Sequence, residues 1–233
     1  MKYVSIDIET TGIDRDRCEI LSIGAVIEDT EKKNRIDQLP RFHAAIIRTD
    51  RHGFYGEPVA LNMNRDLIEA IVKYNDAKTD NQKEDVMNDY DMVFYKEEEI
   101  VEKFYHWLYF HGAFDLSESY INDMNKMVTI HPVYGTVPHI NRAPKAVINV
   151  AGKNFATFDK IFLEKLPRWK QLIEIRNRIL DPAILFVDWK EDKALPGLNL
   201  CKQRAGIEGE VTHNAVEDAI DVVKILRKIY RNT

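Results

Sequence analysis

The first strand-like stretch of the chain carries the residues whose types and spacing best fit a chemical function. Asp7 and Glu9 alternate with the apolar Ile6 and Ile8, and this period of two predicts a β-strand over residues 2–9. Side chains two residues apart on a strand point to the same face, which places these carboxylates about 7 Å apart. They repel each other unless a positive group lies between them. Hard divalent cations prefer carboxylate oxygen, so a pair of such ions is the expected partner, although the pattern also fits a solvated strand face.

Two later segments carry further candidate ligands. Asp159 lies in the early turns of a helix that follows a buried strand, predicted over residues 146–151. His213 stands immediately before the last predicted helix, and Asp218 follows five residues later. Four carboxylates and one histidine supply ligands for two metal ions and a base for water, as a two-metal phosphodiester hydrolase needs. Each residue alone also has a simpler interpretation: Asp159 complements a helix dipole, Asp218 is solvated, and His213 is an exposed loop residue.

Three segments together resemble the motifs of a known family. They are Asp7-Ile-Glu9-Thr-Thr-Gly12, Asn154-x3-Phe158-Asp159-x2-Phe162-Leu163 and His213-x4-Asp218. In order and in strand or helix context they resemble the three motifs of the DEDD exonuclease superfamily, and the histidine spacing resembles that of the DEDDh branch. That branch includes proofreading exonucleases of DNA polymerases, oligoribonuclease and ribonuclease T-like enzymes. The resemblance spans residues 3–218 and implies an α/β, ribonuclease H-like fold with a five-stranded mixed sheet flanked by helices.

The resemblance also implies a role for each candidate residue at two Mg²⁺ or Mn²⁺ ions. Asp7 would bridge both metal ions, while Glu9 and Asp218 would complete the tighter site. Asp159 would hold the second ion, largely through water, and His213 would take a proton from the attacking water. A helix N-terminus beside His213 disfavours the imidazolium form, and a neutral histidine is a suitable base near neutral pH.

The implied activity is 3′→5′ exonucleolytic hydrolysis of single-stranded nucleic acid to nucleoside 5′-monophosphates, with DNA favoured over RNA. Backbone groups of Thr10, Thr11 and Gly12 would contact the 3′ end. Asn154 and Phe158 complete the candidate substrate-binding set, although Asn154 also fits a helix N-cap and Phe158 a packing residue. The alternatives are an oligoribonuclease-like RNA exonuclease, a non-catalytic interaction module on the same fold, and an endonuclease on that fold.

The composition limits the function classes. At 233 residues the chain fits a single exonuclease domain, 1–233, and its 45% of hydrophobic residues is enough for a core. A net charge of −5 and a pI near 5.8 argue against binding nucleic acid by charge alone, but not against an enzyme whose metal ions supply positive charge. Cys18 and Cys201 sit in no metal-ligand spacing and suit a reducing compartment. A cytoplasmic protein without a signal peptide or a membrane span is therefore expected.

Residues 51–145 are predicted to be a large insertion between the third predicted strand, 41–48, and the second motif. Only the helix predicted near 97–112 has a counterpart in the compact family pattern, and residues 75–91 are predicted to be a polar surface excursion. The remainder is expected to cover the mouth of the site, bind a protein partner or contact the substrate.

Further polar residues support additional expectations. Asn214, with Glu217 three residues on, predicts a capping box at the start of the last helix. Asp221, one turn beyond Asp218, is expected to be solvated, with a supporting role at the site as the alternative.

A basic region either faces substrate phosphates or forms a solvated helix face. Its members are Lys153, Lys165, Arg168, Lys170, Arg176 and Arg178.

Overall fold

The computed structural model describes residues 1–48, 53–114, 128–131, 133–141 and 143–231. Its strands are β1 (Lys2–Thr10), β2 (Ile20–Asp29), β3 (Arg41–Ile47), β4 (Val93–Lys96), β5 (Val128–His131), β6 (Gly135–Pro138), β7 (Ala146–Ile148), β8 (Val150–Ala151) and β9 (Ile173–Ile175). Its helices are α1 (Pro58–Met63), α2 (Arg65–Asp76), α3 (Asp80–Tyr90), α4 (Glu97–Phe110), α5 (Asp159–Leu163), α6 (Trp169–Leu172), α7 (Leu198–Arg204) and α8 (Ala215–Tyr230). None of these described helices combines the length and the apolar composition that crossing a membrane requires.

Five strands form one mixed sheet in the order β4-β3-β2-β1-β8. β1 pairs antiparallel with β2, and β2 with β3, whereas β4 runs parallel to β3 and β8 parallel to β1. The prediction of a five-stranded mixed sheet flanked by helices is therefore confirmed. The fifth strand is β4, whereas residues 180–186 contribute only an isolated bridge from Leu180 to Ala151. Pro182 follows that bridge, and proline has no N–H to donate to a ladder.

The two faces of β1 pack against different sets of helices, because its side chains alternate between the faces. Val4, Ile6 and Ile8 belong to a hydrophobic core that includes residues of α4, α5 and α6. Tyr3 belongs to a second core, formed largely by α8. Because Asp7 and Glu9 alternate in step with Tyr3, β1 turns both carboxylates towards the face that α8 covers.

Gly24 of β2 sets how closely α8 approaches the sheet. It pairs with Asp7 across the two strands. An added Cβ at Gly24 would lie 2.1 Å from the backbone of Ala215 and Val216, at the start of α8. Glycine alone permits that backbone contact, which brings the first turn of α8 beside the acidic face of β1.

A buried ion-pair network fixes the other end of α8. The carboxylate of Glu28, near the end of β2, has no exposed surface. It accepts hydrogen bonds from Arg227 of α8 and from Arg231, which lies 2.8 Å away just past the helix. Such a buried carboxylate is tolerated because both of its oxygens have cationic donors.

Residues 53–96 depart most from the expectation drawn from the sequence. Most of the predicted polar surface excursion over residues 75–91 forms α3, a helix without buried residues, so the surface position is confirmed but the regular structure was not expected. Thr79 caps this helix, since its hydroxyl accepts a hydrogen bond from the backbone N–H of Gln82. Val86 and Met87 then pack against the cluster that contains Phe94 of β4.

The remaining part of the predicted 51–145 insertion is described unevenly. The helix predicted near 97–112 is confirmed as α4. Within the insertion, residues 51–52, 115–127, 132 and 142 lie outside the described residues. Described residues also include the antiparallel pair of β5 and β6.

Replacing Gly24 by alanine tests the contact between α8 and β2. Gly24→Ala should displace the first turn of α8 and lower the thermal unfolding midpoint by several degrees, since overpacking costs roughly 1–3 kcal/mol. Thermal melts followed by circular dichroism measure this change. Gly53→Ala is the control, because a Cβ added there meets no atom within 4 Å. Equal midpoints for both variants and the unaltered protein would contradict the proposed constraint.

Candidate functional site

Three carboxylates from two elements meet at the face of β1 that α8 covers. Asp7 and Glu9 come from β1, and Asp218 comes from the first turn of α8. One oxygen from each carboxylate lies within 4.8 Å of the others. Asp218 is buried and the other two are half-buried. This arrangement suits a site for a hard divalent cation.

Asp159 lies beside this group and not within it. It is the first residue of α5 and only 3% exposed. Its Oδ1 accepts a hydrogen bond from the backbone N–H of Ile8, 3.1 Å away. Ile8 lies between Asp7 and Glu9 in the strand. Asp159 therefore contacts the backbone of β1 between the two residues that carry the carboxylate pair.

The crowding of these acids raises their pKa values. Burial raises the pKa of Asp7 well above its usual range, and the charges of Asp159, Glu9 and Asp218 raise it further. Burial and the Asp218 charge raise the pKa of Glu9 to about 7. Burial raises the pKa of Asp218 to about 6, against a hydrogen bond from the backbone of Thr212. Burial also raises the pKa of Asp159, although backbone N–H groups oppose it.

The donor atoms fit a divalent metal ion. Asp218 Oδ1 is buried, and no hydrogen-bond partner for it occurs among the described residues. Buried polar atoms are nearly always paired, so an orphaned carboxylate oxygen next to two other carboxylates calls for a cation. All ligand atoms are carboxylate oxygens, which are the ligands that Mg²⁺ and Mn²⁺ prefer.

His213 lies immediately before Asn214, the N-cap residue of α8. Its side chain is exposed, and its backbone adopts a left-handed conformation with φ of 53°. The next residue, Asn214, caps α8 by accepting hydrogen bonds from the N–H groups of Val216 and Glu217. The predicted capping residue is therefore confirmed, and His213 stands just outside the N-terminus of α8.

The turn after β1 is held by its own side chains and by the segment that leads into α1. Thr10 Oγ1 donates to the carbonyl of Gly12 at 2.8 Å, and Thr11 Oγ1 accepts from the N–H of Glu19 at 3.0 Å. The N–H of Glu57 donates to the carbonyl of Thr11 at 2.7 Å. A Cβ on Gly12 would meet the side chains of Glu57 and Cys18 at 2.7 Å, so both side chains pack directly against this turn. The turn is thus a preformed surface beside Glu9.

The two other candidate substrate contacts lie at the start of α5. The prediction of Asn154 as the helix N-cap is wrong, because α5 begins at Asp159 and its N-cap is Phe158. Asn154 is exposed with φ of 59°, and its backbone N–H donates to Asp181. Its side chain accepts from the hydroxyl of Thr157, so a local turn replaces the expected helical start. Phe158 packs on the next turn of α5, as the packing interpretation proposed.

Asn64 is a neighbour of the acidic group that no sequence pattern indicates. It lies between α1 and α2 and is 4% exposed. Its Nδ2 donates to the carbonyl of Thr10 at 3.2 Å, and a hydrogen bond from its side chain lowers the pKa of Glu9. A single asparagine in a polar segment carries no pattern, so only the folded contact identifies it.

Lys202 of α7 is a second unpredicted neighbour. Its ammonium group is buried, pairs with Asp221 of α8 and donates to the carbonyl of Glu210 at 3.0 Å. The expectation that Asp221 is solvated is therefore wrong, because this long-range ion pair buries it. Asn199 of α7 also accepts a hydrogen bond from the N–H of Val211 at 2.8 Å. Together these bonds hold the loop at residues 207–213, which ends at His213, against α7.

Three of the six cations of the predicted basic region have local partners. Arg168 pairs with Glu102, and Lys170 pairs with Glu164. Lys165 lies over the ring of Phe162 at 5.6 Å. These cations are engaged locally, as the solvated-face interpretation expects.

Comparison with known proteins shows the fold. No family model matches the sequence, and no curated protein matches it. E. coli exonuclease I in complex with a dT13 oligonucleotide has a TM-score of 0.52 and 14% identity, over 100% of this chain and 42% of its own. The zinc-bound E. coli exonuclease I complex with single-stranded DNA has a TM-score of 0.53 and 13% identity, over 100% of this chain and 41% of its own. Exonuclease I from Methylocaldum szegediense has a TM-score of 0.51 and 15% identity, over 97% of this chain and 40% of its own.

These values establish the ribonuclease H-like fold that the sequence predicts, because the five-stranded mixed sheet and its flanking helices match those structures. The chain spans about two-fifths of the length of these exonuclease I structures.

The metal-free protein should lose stability from about pH 5 to about pH 8. The raised pKa values mean that the folded state keeps protons that the unfolded chain releases near pH 4, so the unfolding free energy falls as pH rises through about 6 and 7. Thermal melts in EDTA measure this dependence. Asp7→Asn should flatten it, whereas Asp66→Asn, which changes an exposed acid of α2, should not. Stability that rises over this interval would contradict the account.

Removing the Lys202 ammonium group should loosen the loop before His213. Lys202→Met should raise amide hydrogen exchange in residues 207–213 by roughly tenfold, since a hydrogen bond to a charged group contributes about 1.5 kcal/mol. Exchange followed by mass spectrometry measures this effect. Lys224→Met is the control, because Lys224 also pairs with Asp221 without bonding to the loop in the described structure. Equal exchange in both variants would remove the positioning role of Lys202.

Proposed function

We propose that this protein is a metal-dependent 3′→5′ exonuclease that hydrolyses single-stranded nucleic acid, with DNA favoured, to nucleoside 5′-monophosphates. The observation that carries the proposal is the meeting of Asp7, Glu9 and Asp218 within 4.8 Å, with Asp159 beside them. The fold supports it, because it is shared with exonuclease I structures that contain single-stranded DNA. Residues 1–233 form one exonuclease domain in this proposal.

Asp7, Glu9, Asp159 and Asp218 would hold two Mg²⁺ or Mn²⁺ ions. Such ions stabilise the negative charge on the attacking and leaving oxygens of a phosphodiester. The raised pKa values of the free carboxylates support this assignment, because cation binding favours the ionised form that their mutual repulsion disfavours.

His213 would accept the proton of the attacking water. Its side chain is exposed, so solvent and a substrate can reach it. The adjacent N-terminus of α8 disfavours imidazolium, so the ring is available as a base. The bonds from α7 to the loop at 207–213 support the same role, because a general base needs a fixed position.

The substrate's 3′ end would lie against the turn at Thr10, Thr11 and Gly12, with Asn154 and Phe158 nearby. The preformed backbone of this turn supports that placement. The preference for DNA over RNA is supported by exonuclease I structures that carry single-stranded DNA. A protein partner at residues 51–145 and a cytoplasmic location belong to the proposal as well, and one exonuclease I structure is an ExoI/SSB-Ct complex.

Cleavage of labelled oligomers tests the proposed function. With Mg²⁺ or Mn²⁺, 5′-labelled single-stranded DNA should shorten progressively from its 3′ end, and matched RNA should shorten more slowly. Asp7→Asn should abolish this ladder, and His213→Ala should slow cleavage by roughly 10²-fold without weakening metal binding. Asp66→Asn, at an exposed acid on α2, is the control and should keep full activity.

A chemically blocked 3′ end separates the exonuclease from an endonuclease. The blocked oligomer should stay intact if hydrolysis begins at the 3′ terminus. Internal cuts in it would assign an endonuclease to this site. Full activity of Asp7→Asn would instead show that these carboxylates are not the catalytic metal ligands.

A further inference from the structure

A cleft lined by cations lies at the other end of β1. The segment 146–151 changes partners at Asn149, because β7 pairs with β9 and β8 pairs with β1. An opening of about 490 Å³ at this divergence is lined by Lys2, Lys145 and Arg176, among others. An adjoining opening of about 460 Å³ is lined by Arg176 and Arg178. We call the two openings, with Lys2, Lys145, Asn149, Arg176 and Arg178, the basic cleft.

Three cations of the basic cleft, Lys145, Arg176 and Arg178, are available for a ligand, whereas Lys2 Nζ donates to the carbonyl of Gly112 at 2.8 Å. Their side chains are exposed, and no described residue forms an ion pair with Lys145, Arg176 or Arg178. Arg168 and Arg204, in contrast, each form an ion pair with a carboxylate. In a chain of net charge −5, such a concentration of unpaired cations marks a surface that attracts anions.

The residues that line the basic cleft carry more positive than negative charge. Glu174 is the one acid among the described residues that line either opening. The openings share Val147, Asn149 and Arg176, so they form one continuous surface and not two separate depressions.

The backbone that carries these side chains is fixed. The N–H of Val4 donates to the carbonyl of Asn149 at 2.9 Å, and Asn149 Nδ2 donates to the carbonyl of Lys2 at 2.9 Å. The N–H of Arg176 donates to the carbonyl of Ile148 at 3.0 Å. Cations mounted on hydrogen-bonded backbone lose less conformational entropy when a ligand binds.

The basic cleft is separate from the acidic group. Lys2 precedes Asp7 by five residues on β1, which corresponds to about 17 Å at roughly 3.4 Å per residue. A phosphate bound at Lys2 therefore lies too far from Asp7 to contact it directly.

We propose that the basic cleft binds the phosphate groups of a single-stranded nucleic acid, as a contact distinct from the candidate catalytic site. Guanidinium groups match phosphate oxygens with two parallel hydrogen bonds, and lysines add charge without base specificity. Two adjoining openings that share Arg176 suit successive phosphates of one strand better than a single small anion. The identity of the strand as nucleic acid rests on the proposed function, whereas the preference for phosphate rests on the cleft itself.

Binding without divalent ions tests this proposal. In EDTA, fluorescence anisotropy of a labelled 20-nucleotide single-stranded DNA is measured over a series of salt concentrations. Arg176→Glu combined with Arg178→Glu should weaken binding by at least about tenfold at low salt. The slope of log affinity against log salt should fall by about 1.4, because each phosphate contact on a single strand contributes roughly 0.7.

A matched control separates the cleft from net charge. Lys32→Glu combined with Lys33→Glu makes the same change in charge on the exposed connection after β2 and should reduce affinity much less. Thermal melts check that both double variants are folded. Equal losses in the two double variants would overturn the proposal, as would binding of the oligomer no tighter than that of dTMP, which would assign the cleft to free nucleotides.

The outcomes also separate the cleft from the proposed exonuclease. Weakened binding in the cleft variant, with no cleavage by the unaltered protein, would support the cleft and contradict the enzyme. Normal cleavage, with unchanged binding by the cleft variant, would support the enzyme and overturn the cleft.

Discussion

The contact between α8 and β2 at Gly24 is the constraint on which the acidic group depends. Gly24 stands opposite Asp7, and its missing side chain lets the backbone of α8 rest directly on the sheet. Asp218, in the first turn of that helix, is thereby brought to the face that carries Asp7 and Glu9. Glu28 of β2 pairs with Arg227 and Arg231 at the C-terminal end of α8. The position of α8 on the sheet is therefore set by contacts at both ends of the helix.

Holding three acids together has an electrostatic cost, which the surroundings reduce in part. Asn64 stabilises the ionised form of Glu9, and Lys202 acts on Asp218 in the same sense. These contributions leave the pKa values of both acids above their usual range, at about 7 and about 6. The described residues therefore leave a concentration of negative charge that a divalent cation would relieve. An orphaned Asp218 oxygen points to the same conclusion.

The sequence predicted those features that local patterns determine. Strict alternation placed Asp7 and Glu9 on one strand face, and Asn214 marked the start of α8. The resemblance to the DEDD superfamily predicted the sheet and brought Asp159 and Asp218 into consideration; their catalytic roles stay a prediction. Features that depend on distant contacts escaped prediction. Asp221 looks like a solvated helix residue until its ion pair with Lys202 is known, and Asn154 looks like a helix cap until its backbone N–H is seen to donate to Asp181.

Calorimetric titration with Mn²⁺ tests the central claim most directly, because it needs neither a substrate nor a turnover assay. Near pH 8, above the pKa values of about 7 for Glu9 and about 6 for Asp218, the unaltered protein should bind two ions per chain, and Asp218→Asn should lose at least one of them. Asp66→Asn, on the exposed surface of α2, should bind as the unaltered protein does. Binding that is absent, or that is the same in Asp218→Asn, would show that the three carboxylates do not form a metal site.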